Sequence, residues 1–183
     1  MQEGEEQKED EMEYQDVYVF AGMYDSSDAA KMDFEQLSAM HKAERIGKFQ
    51  AAVFEKRPDG KVKVLNTTST TRTTGAKWGA GIGAVLGLVF PPAILVGAAE
   101  GAAVGAIAGN LSKGWFKGDI KRIADELAPG QAGVIAVAEA TESTNAEMLL
   151  AKSQKAEKEH ITGNDAEQVK EQLKTGETVG ASH

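Results

Sequence analysis

A glycine at every fourth position constrains this chain more than any other sequence feature. Within residues 75–114, two sets of four glycines are separated by Pro91-Pro92. Because a four-residue step is close to the 3.6-residue helical turn, each set forms a stripe along one helix face. Each interior glycine costs roughly 1 kcal/mol relative to alanine, which close packing of two helices would offset. We therefore predict an antiparallel helical hairpin, a glycine zipper, packed along these glycines. They are Gly75, Gly79, Gly83, Gly87, Gly97, Gly101, Gly105 and Gly109.

Packing along the glycines turns the large apolar side chains of the hairpin outward. Fifteen of them lie between Trp78 and Phe116, and their full burial would be worth on the order of 20 kcal/mol. Lipid, other copies of the chain or the chain's own domain must therefore cover them. The turn between the two arms carries no charge, which favours a tip in lipid or in an oligomer core. We assign this membrane or assembly tip to Leu88, Val89, Phe90, Pro91, Pro92, Ile94 and Leu95.

The lengths of the arms are compatible with a membrane. Residues 75–90 and 93–112 would span about 24 Å and 30 Å as helices, and a bilayer core is about 30 Å thick. Basic residues flank both ends, as expected for ends on the cytoplasmic side. Glu100 is the only charge between Lys77 and Lys113, and a carboxylate in lipid is costly and marks a candidate functional group. Glu100 therefore faces solvent or an interface, pairs at an oligomer contact, or belongs to an ion path.

Outside the hairpin, the sequence predicts the order strand, helix, strand, strand, helix, strand. Pro58-Asp59-Gly60 indicates a tight turn between the second and third strands. The order is that of the split βαβ, or ferredoxin-like, arrangement, an α+β fold. We expect both helices on one face of an antiparallel sheet and the open face to be covered by dimerisation. The six elements cover residues 17–23, 25–44, 49–56, 61–67, 119–127 and 133–138.

Composition divides the chain into three parts. Residues 1–16 carry eight acids and one lysine and are predicted to be a disordered acidic tail. The ferredoxin-like domain covers residues 17–139 and is interrupted by the hairpin at 75–114. Residues 140–183 form a polar extension, with a solvated helix over 145–159 and a second over 165–174, either docked on a partner chain or mobile.

Charge and cysteine content narrow the classes of function. The net charge is −8, but residues 61–122 carry eight Lys/Arg and two acids, or +6, so the remainder carries −14. An overall acidic chain without an aromatic-interleaved basic stripe argues against nucleic-acid binding. The chain has no cysteine, which excludes disulfides and thiol catalysis and agrees with a cytoplasmic location. The acidic start is the reverse of a signal peptide.

The glycine pattern, set in a strand and helix order interrupted after the third strand, resembles an uncharacterised bacterial family (domain of unknown function 1269) usually described as membrane proteins. The resemblance covers roughly residues 17–139. The strand–helix–strand at its start also resembles the domain of bacterial general stress proteins, which implies a stress-related role. The family brings no established catalytic residues, so the resemblance assigns none.

The sequence contains no recognisable catalytic or metal-binding pattern. His41, His160 and His183 lack metal-ligand spacing. The glycines within residues 79–87 superficially match a dinucleotide fingerprint, but polar threonines precede them where a strand is required. We expect no cofactor, no metal and no enzymatic activity.

The leading hypothesis is therefore a non-enzymatic self-assembling protein of the cytoplasm. Its ferredoxin-like domain forms a dimer, and its hairpins either associate into a larger homo-oligomer or insert into the inner face of the cell membrane. A membrane protein with a channel-like or bilayer-remodelling hairpin is the first alternative. A small-molecule-binding domain with a cleft between sheet and hairpin is the second.

Overall fold

The computed structural model describes residues 16–68, 80–90, 94–96 and 118–178. Within them the chain has an α+β fold, a mixed sheet with helices on both faces, which confirms the predicted class. The strands are β1 (Asp16–Tyr24), β2 (Phe49–Lys56), β3 (Val62–Thr67), β4 (Leu95–Val96), β5 (Ala132–Ala140) and β6 (Lys155–Ile161). The helices are α1 (Ser27–Lys42), α2 (Ala80–Val89), α3 (Asp119–Glu126), α4 (Ala146–Leu149) and α5 (Gly163–Thr178).

The predicted β2–β3 turn is confirmed. Arg57 N donates to Lys61 O at 2.7 Å, and Gly60 N donates to Arg57 O at 2.9 Å. Gly60 has a φ of +79°, a backbone conformation that glycine adopts without a steric penalty. The turn therefore sets the antiparallel pairing of these two strands.

The strand order is β4-β3-β2-β5-β1-β6, which differs from the ferredoxin-like order. In that order the third strand lies between the first and second, whereas here β5 separates β1 from β2 and β3 lies outside β2. Neighbouring strands are antiparallel except β3 and β4, which are parallel. Strands β3 and β4 extend the sheet on the outer side of β2.

Both faces of the sheet carry a hydrophobic core, so the predicted open face is not present. Val17 and Val19 of β1 belong to one core, together with side chains of α2, α3 and α5. Tyr18 and Phe20 belong to the other, together with side chains of α1 and α4. We name these the α2 face and the α1 face. Right-handed connections account for the split. Helix α1 links β1 to β2, and α2 links β3 to β4, which run antiparallel to β1 and β2. Both connections lead toward the same edge of the sheet, so right-handed connections place the two helices on opposite faces.

The prediction of one helical arm over residues 93–112 is wrong at Leu95–Val96. These residues form β4 and pair in parallel with Val62 and Lys63 of β3. Prolines disfavour continuation of a helix, and the β-branched Val96 favours an extended backbone at the free edge of β3.

The prediction of a solvated helix over 145–159 is also wrong. Helix α4 is only four residues long, and Lys155–Ile161 form β6, which pairs with the outer edge of β1. The domain therefore extends beyond residue 139. The helix predicted over 165–174 is present within α5, but it docks on its own chain, since Ala166, Val169 and Leu173 are buried on the α2 face.

Candidate functional site

Helix α2, the longest described part of the glycine-rich region, is packed inside the domain. Ile82, Val85 and Leu86 have no exposed surface, and the helix contacts β2, β5, α3 and α5. Its first turn is capped by a buried side chain of the sheet, because Ile82 N donates to Gln50 Oε1 at 3.0 Å. The chain's own domain therefore covers these three side chains, which is one of the three covers considered above.

The described end of the predicted tip is also buried. Val89, Phe90 and Leu95 are at most 6% exposed and belong to the core of the α2 face. The Phe90 ring meets the Phe54 ring edge-on, with 5.0 Å between ring centroids and 72° between their planes. Ile94 is half-buried against the same core. In this chain these side chains contribute to the domain core rather than to a free tip.

The remaining predicted site residues fall into two groups. Gly83, Gly87 and Leu88 lie within α2. The others lie outside the described residues, and their roles in helix packing, assembly or charge stay predictions. They are Gly75, Gly79, Pro91, Pro92, Gly97, Glu100, Gly101, Gly105 and Gly109.

A cleft of about 450 Å³ lies between β6 and the chain that leads into α4. Its walls are formed by residues 142–147 and by Ala156, Glu157 and Lys158. The sequence placed a ligand cleft between sheet and hairpin, whereas this cleft lies beside the strand at the other edge of the sheet. The walls are mostly polar, with carboxylate, hydroxyl and amide side chains.

Lys158 holds one wall of this cleft in place. Its Nζ donates to the main-chain oxygens of Thr141, Glu142 and Thr144 at 3.1, 2.7 and 2.8 Å. The ammonium also lies 4.0 Å from the centroid of the Tyr18 ring, a cation–π distance. Burial lowers the pKa of Lys158. With three donated hydrogen bonds, this ammonium serves to order the loop and offers no free donor to a ligand.

A buried acid ties α1 to the sheet on the α1 face. Tyr24 Oη donates to Asp33 Oδ2 at 2.9 Å, and Lys152 N donates to the same oxygen at 2.8 Å. Burial and then the neighbouring Asp33 raise the pKa of Tyr24 well above its usual range, so the phenol stays a donor. Sequence reasoning missed Asp33, although it lies on the same helical stripe as Ala30, Leu37 and Met40.

A third polar group lies where α3 meets β6. Arg122 Nη2 is 2.6 Å from Asp119 Oδ1 and 3.2 Å from Glu157 Oε1. Lys155 Nζ is 2.7 Å from Glu126 Oε2 at the other end of α3. Burial, followed by the charge of Asp119, raises the pKa of Glu159. These charges fix α3 along the outer strand of the sheet.

The part of the chain that the structure describes contains neither a metal-binding cluster nor a membrane-spanning helix. No cluster of three or more histidine, aspartate and glutamate side chains there is arranged to hold a metal ion. None of its helices combines the length and the apolar character needed to cross a bilayer.

Comparison with known proteins gives a family but no characterised relative. No curated protein matches the chain, and no solved structure matches it. A family described as "Protein of unknown function (DUF1269)" matches residues 76–175, more than half of the 183 residues and a stretch from the glycine-rich region into α5. The chain therefore belongs to this family of unknown function.

Proposed function

We propose that the protein is a non-enzymatic self-assembling protein whose copies associate through the glycine-rich region of residues 75–114. The observation that carries the proposal is the anchoring of α2, because its Ile82, Val85, Leu86 and Val89 side chains are buried in the domain core. A helix fixed in this way attaches residues 80–89 to the sheet. In the proposal, the second glycine set, Gly97–Gly109, packs against other copies of the chain.

The positions of the residues on either side of residues 97–117 support this view. Val96 belongs to β4 at one edge of the sheet, and Gly118 lies beside Glu159 of β6 at the other edge. Six strands at about 4.8 Å spacing put these edges roughly 24 Å apart. The segment between them carries Val104, Ile107 and Leu111. Its first fourteen residues contain a single charged side chain, Glu100. This composition is suited to an apolar contact between copies.

The other obvious contact surfaces are less suitable. Both sheet faces are covered by helices of the same chain. Antiparallel pairing of two β6 strands about their middle residue would place Lys158 opposite Lys158 and Glu157 opposite Glu159. Like charges at directly opposed positions destabilise strand pairing, and charged edge strands protect against it. In the proposal, these surfaces are therefore less suitable for self-association than the glycine-rich region.

Light scattering of the full chain in detergent-free buffer tests the proposal. We expect a mass at least twice that of the single 19.4 kDa chain. Gly101→Leu combined with Gly105→Leu should reduce that mass to the single chain, because leucine side chains prevent close helix approach. Ala151→Leu adds similar bulk at an exposed position and should leave the oligomer intact.

A monomer of the unsubstituted chain would contradict self-assembly. If that monomer also floated with phospholipid vesicles, and Gly101→Leu with Gly105→Leu abolished the flotation, lipid rather than a second copy would be the partner of the region.

A further inference from the structure

Gln50 is a polar residue inside the apolar core of the α2 face. It is 4% exposed, and among the strands that the structure describes it is the one buried residue with a polar side chain, tyrosine apart. Side chains alternate along a strand, and Ala52 and Phe54 of the same strand belong to the core of the α2 face. Val137, which pairs with Gln50 across the sheet, belongs to the same core. A buried amide is costly unless it is hydrogen-bonded, so this position calls for a specific partner.

The partner of Gln50 is the start of α2. Ile82 N donates to Gln50 Oε1 at 3.0 Å in a buried hydrogen bond. Ile82 is the third residue of α2, and the N–H groups of a helix's first turn have no acceptor within the helix. Such groups are commonly bonded by a residue just before the helix, whereas Gln50 comes from the sheet, 32 residues earlier in the chain. The bond therefore ties one position along α2 to one position along β2.

The apolar side chains of α2 do not fix that position by themselves. The helix (AGIGAVLGLV) has no polar side chain, and its sequence nearly repeats after four residues. A displacement of about 6 Å along its axis, which is four residues at about 1.5 Å each, exchanges apolar residues for apolar residues and glycine for glycine. The equivalent pairs are Ile82 and Leu86, Val85 and Val89, and Gly83 and Gly87. Hydrophobic burial is non-directional, so it discriminates weakly between these two registers of the helix on the sheet.

The hydrogen bond from Ile82 does distinguish the two registers. In the displaced register Gln50 would face the N–H of Leu86, which lies further inside the helix and is bonded to a helix carbonyl. The buried side-chain oxygen of Gln50 would then lose its donor from α2, which is unfavourable. A buried polar group that is satisfied in only one arrangement is a known means of fixing register.

We propose that Gln50 is a positioning residue that holds α2 in one register on the sheet and so sets the orientation in which the glycine-rich region meets other copies. The first part concerns the single chain. The second part rests on the proposed function, because the glycine-rich region meets other copies only if the protein self-assembles. A variant without the acceptor should keep the fold, since an apolar side chain suits this core, but should lose the single register.

Methyl NMR of the full chain, with the isoleucine methyl groups labelled, tests the register. Ile82 reports on α2, and Ile46 in the core of the α1 face is the internal reference. Gln50→Met keeps the length of the side chain and removes the acceptor. We expect one Ile82 signal in the unsubstituted chain and a second in Gln50→Met, because losing a buried hydrogen bond lowers the preference for one register by roughly 10- to 100-fold. The Ile46 signal should remain single.

Two further variants separate the loss of the acceptor from a change of side chain. Gln50→Glu keeps an oxygen acceptor at the first turn of α2, where the helix dipole favours a carboxylate, and should retain the single Ile82 signal. Gln36→Met makes the same change at an exposed position of α1 and should also retain it. A single Ile82 signal in Gln50→Met would overturn the proposal, as would a second signal in Gln50→Glu as strong as that in Gln50→Met.

The mass distribution measured by light scattering tests the link to assembly. If the unsubstituted chain is an oligomer, Gln50→Met should broaden the distribution. An unchanged distribution beside a doubled Ile82 signal would overturn that link. A monomeric unsubstituted chain would contradict self-assembly and the link with it, while the Ile82 signals would still decide whether Gln50 fixes the register.

Discussion

Replacing Phe54 with alanine is expected to lower the free energy of unfolding by about 4 kcal/mol, the usual range for a buried phenylalanine. Phe54 is fully buried, and its ring lies over Gly133, where a Cβ would come within 2.3 Å of Cζ. The same ring supports Phe90 edge-on. Its removal would leave a cavity between β2, β5 and the end of α2. Urea denaturation followed by circular dichroism measures the loss.

The matched control is Phe34→Ala, which makes the same chemical change at a half-buried position of α1. We expect a clearly smaller loss there, because less apolar surface is removed from the core. Equal losses at the two positions would contradict the packing of Phe54 described here.

Replacing Leu86 with alanine is expected to cost about 3 kcal/mol. Leu86 is fully buried on the helix that the sequence predicted as the first arm of an outward-facing hairpin. If its side chain faced lipid or solvent instead, removing it would change the stability of the isolated chain very little. Urea denaturation distinguishes the two cases.

Met32→Ala on α1 is the control for Leu86→Ala, since Met32 is 53% exposed. Surface substitutions usually change stability by less than about 0.5 kcal/mol. A Leu86→Ala variant as stable as Met32→Ala would show that α2 is not part of the core.

Local signals in the sequence predicted the elements of the central sheet. The turn at Pro58-Asp59-Gly60 and the β-branched runs of β1 and β5 led to strands that the structure confirms. These signals are local, because turn geometry and strand preference depend on a few adjacent residues. The order of the strands depends on long-range pairing, which no local pattern contains.

The covered second face could have been recognised from β1. Residues 17–23 (VYVFAGM) show no alternation of apolar and polar side chains. Continuous apolar strands are typical of sheets buried on both faces. The prediction of an open face gave more weight to the assumed ferredoxin-like arrangement than to this run.

Strand β6 could not have been predicted from its local sequence. Residues 155–161 (KAEKEHI) are rich in charged residues that favour helices, yet they pair with the free edge of β1. Tertiary context overrides such preferences, and an edge strand tolerates charges because one side faces water. The same long-range pairing builds the polar contacts of Lys158 and Glu159, which sequence spacing alone did not bring together.

The central claim is that α2 is buried in the chain's own core. Because the chain has no cysteine, the variant Leu86→Cys carries one thiol whose reaction with a maleimide reports exposure at that position. We predict no labelling in native buffer and complete labelling after urea unfolding, whereas Met32→Cys should react at once. Labelling of Leu86→Cys in native buffer as fast as Met32→Cys would contradict the account.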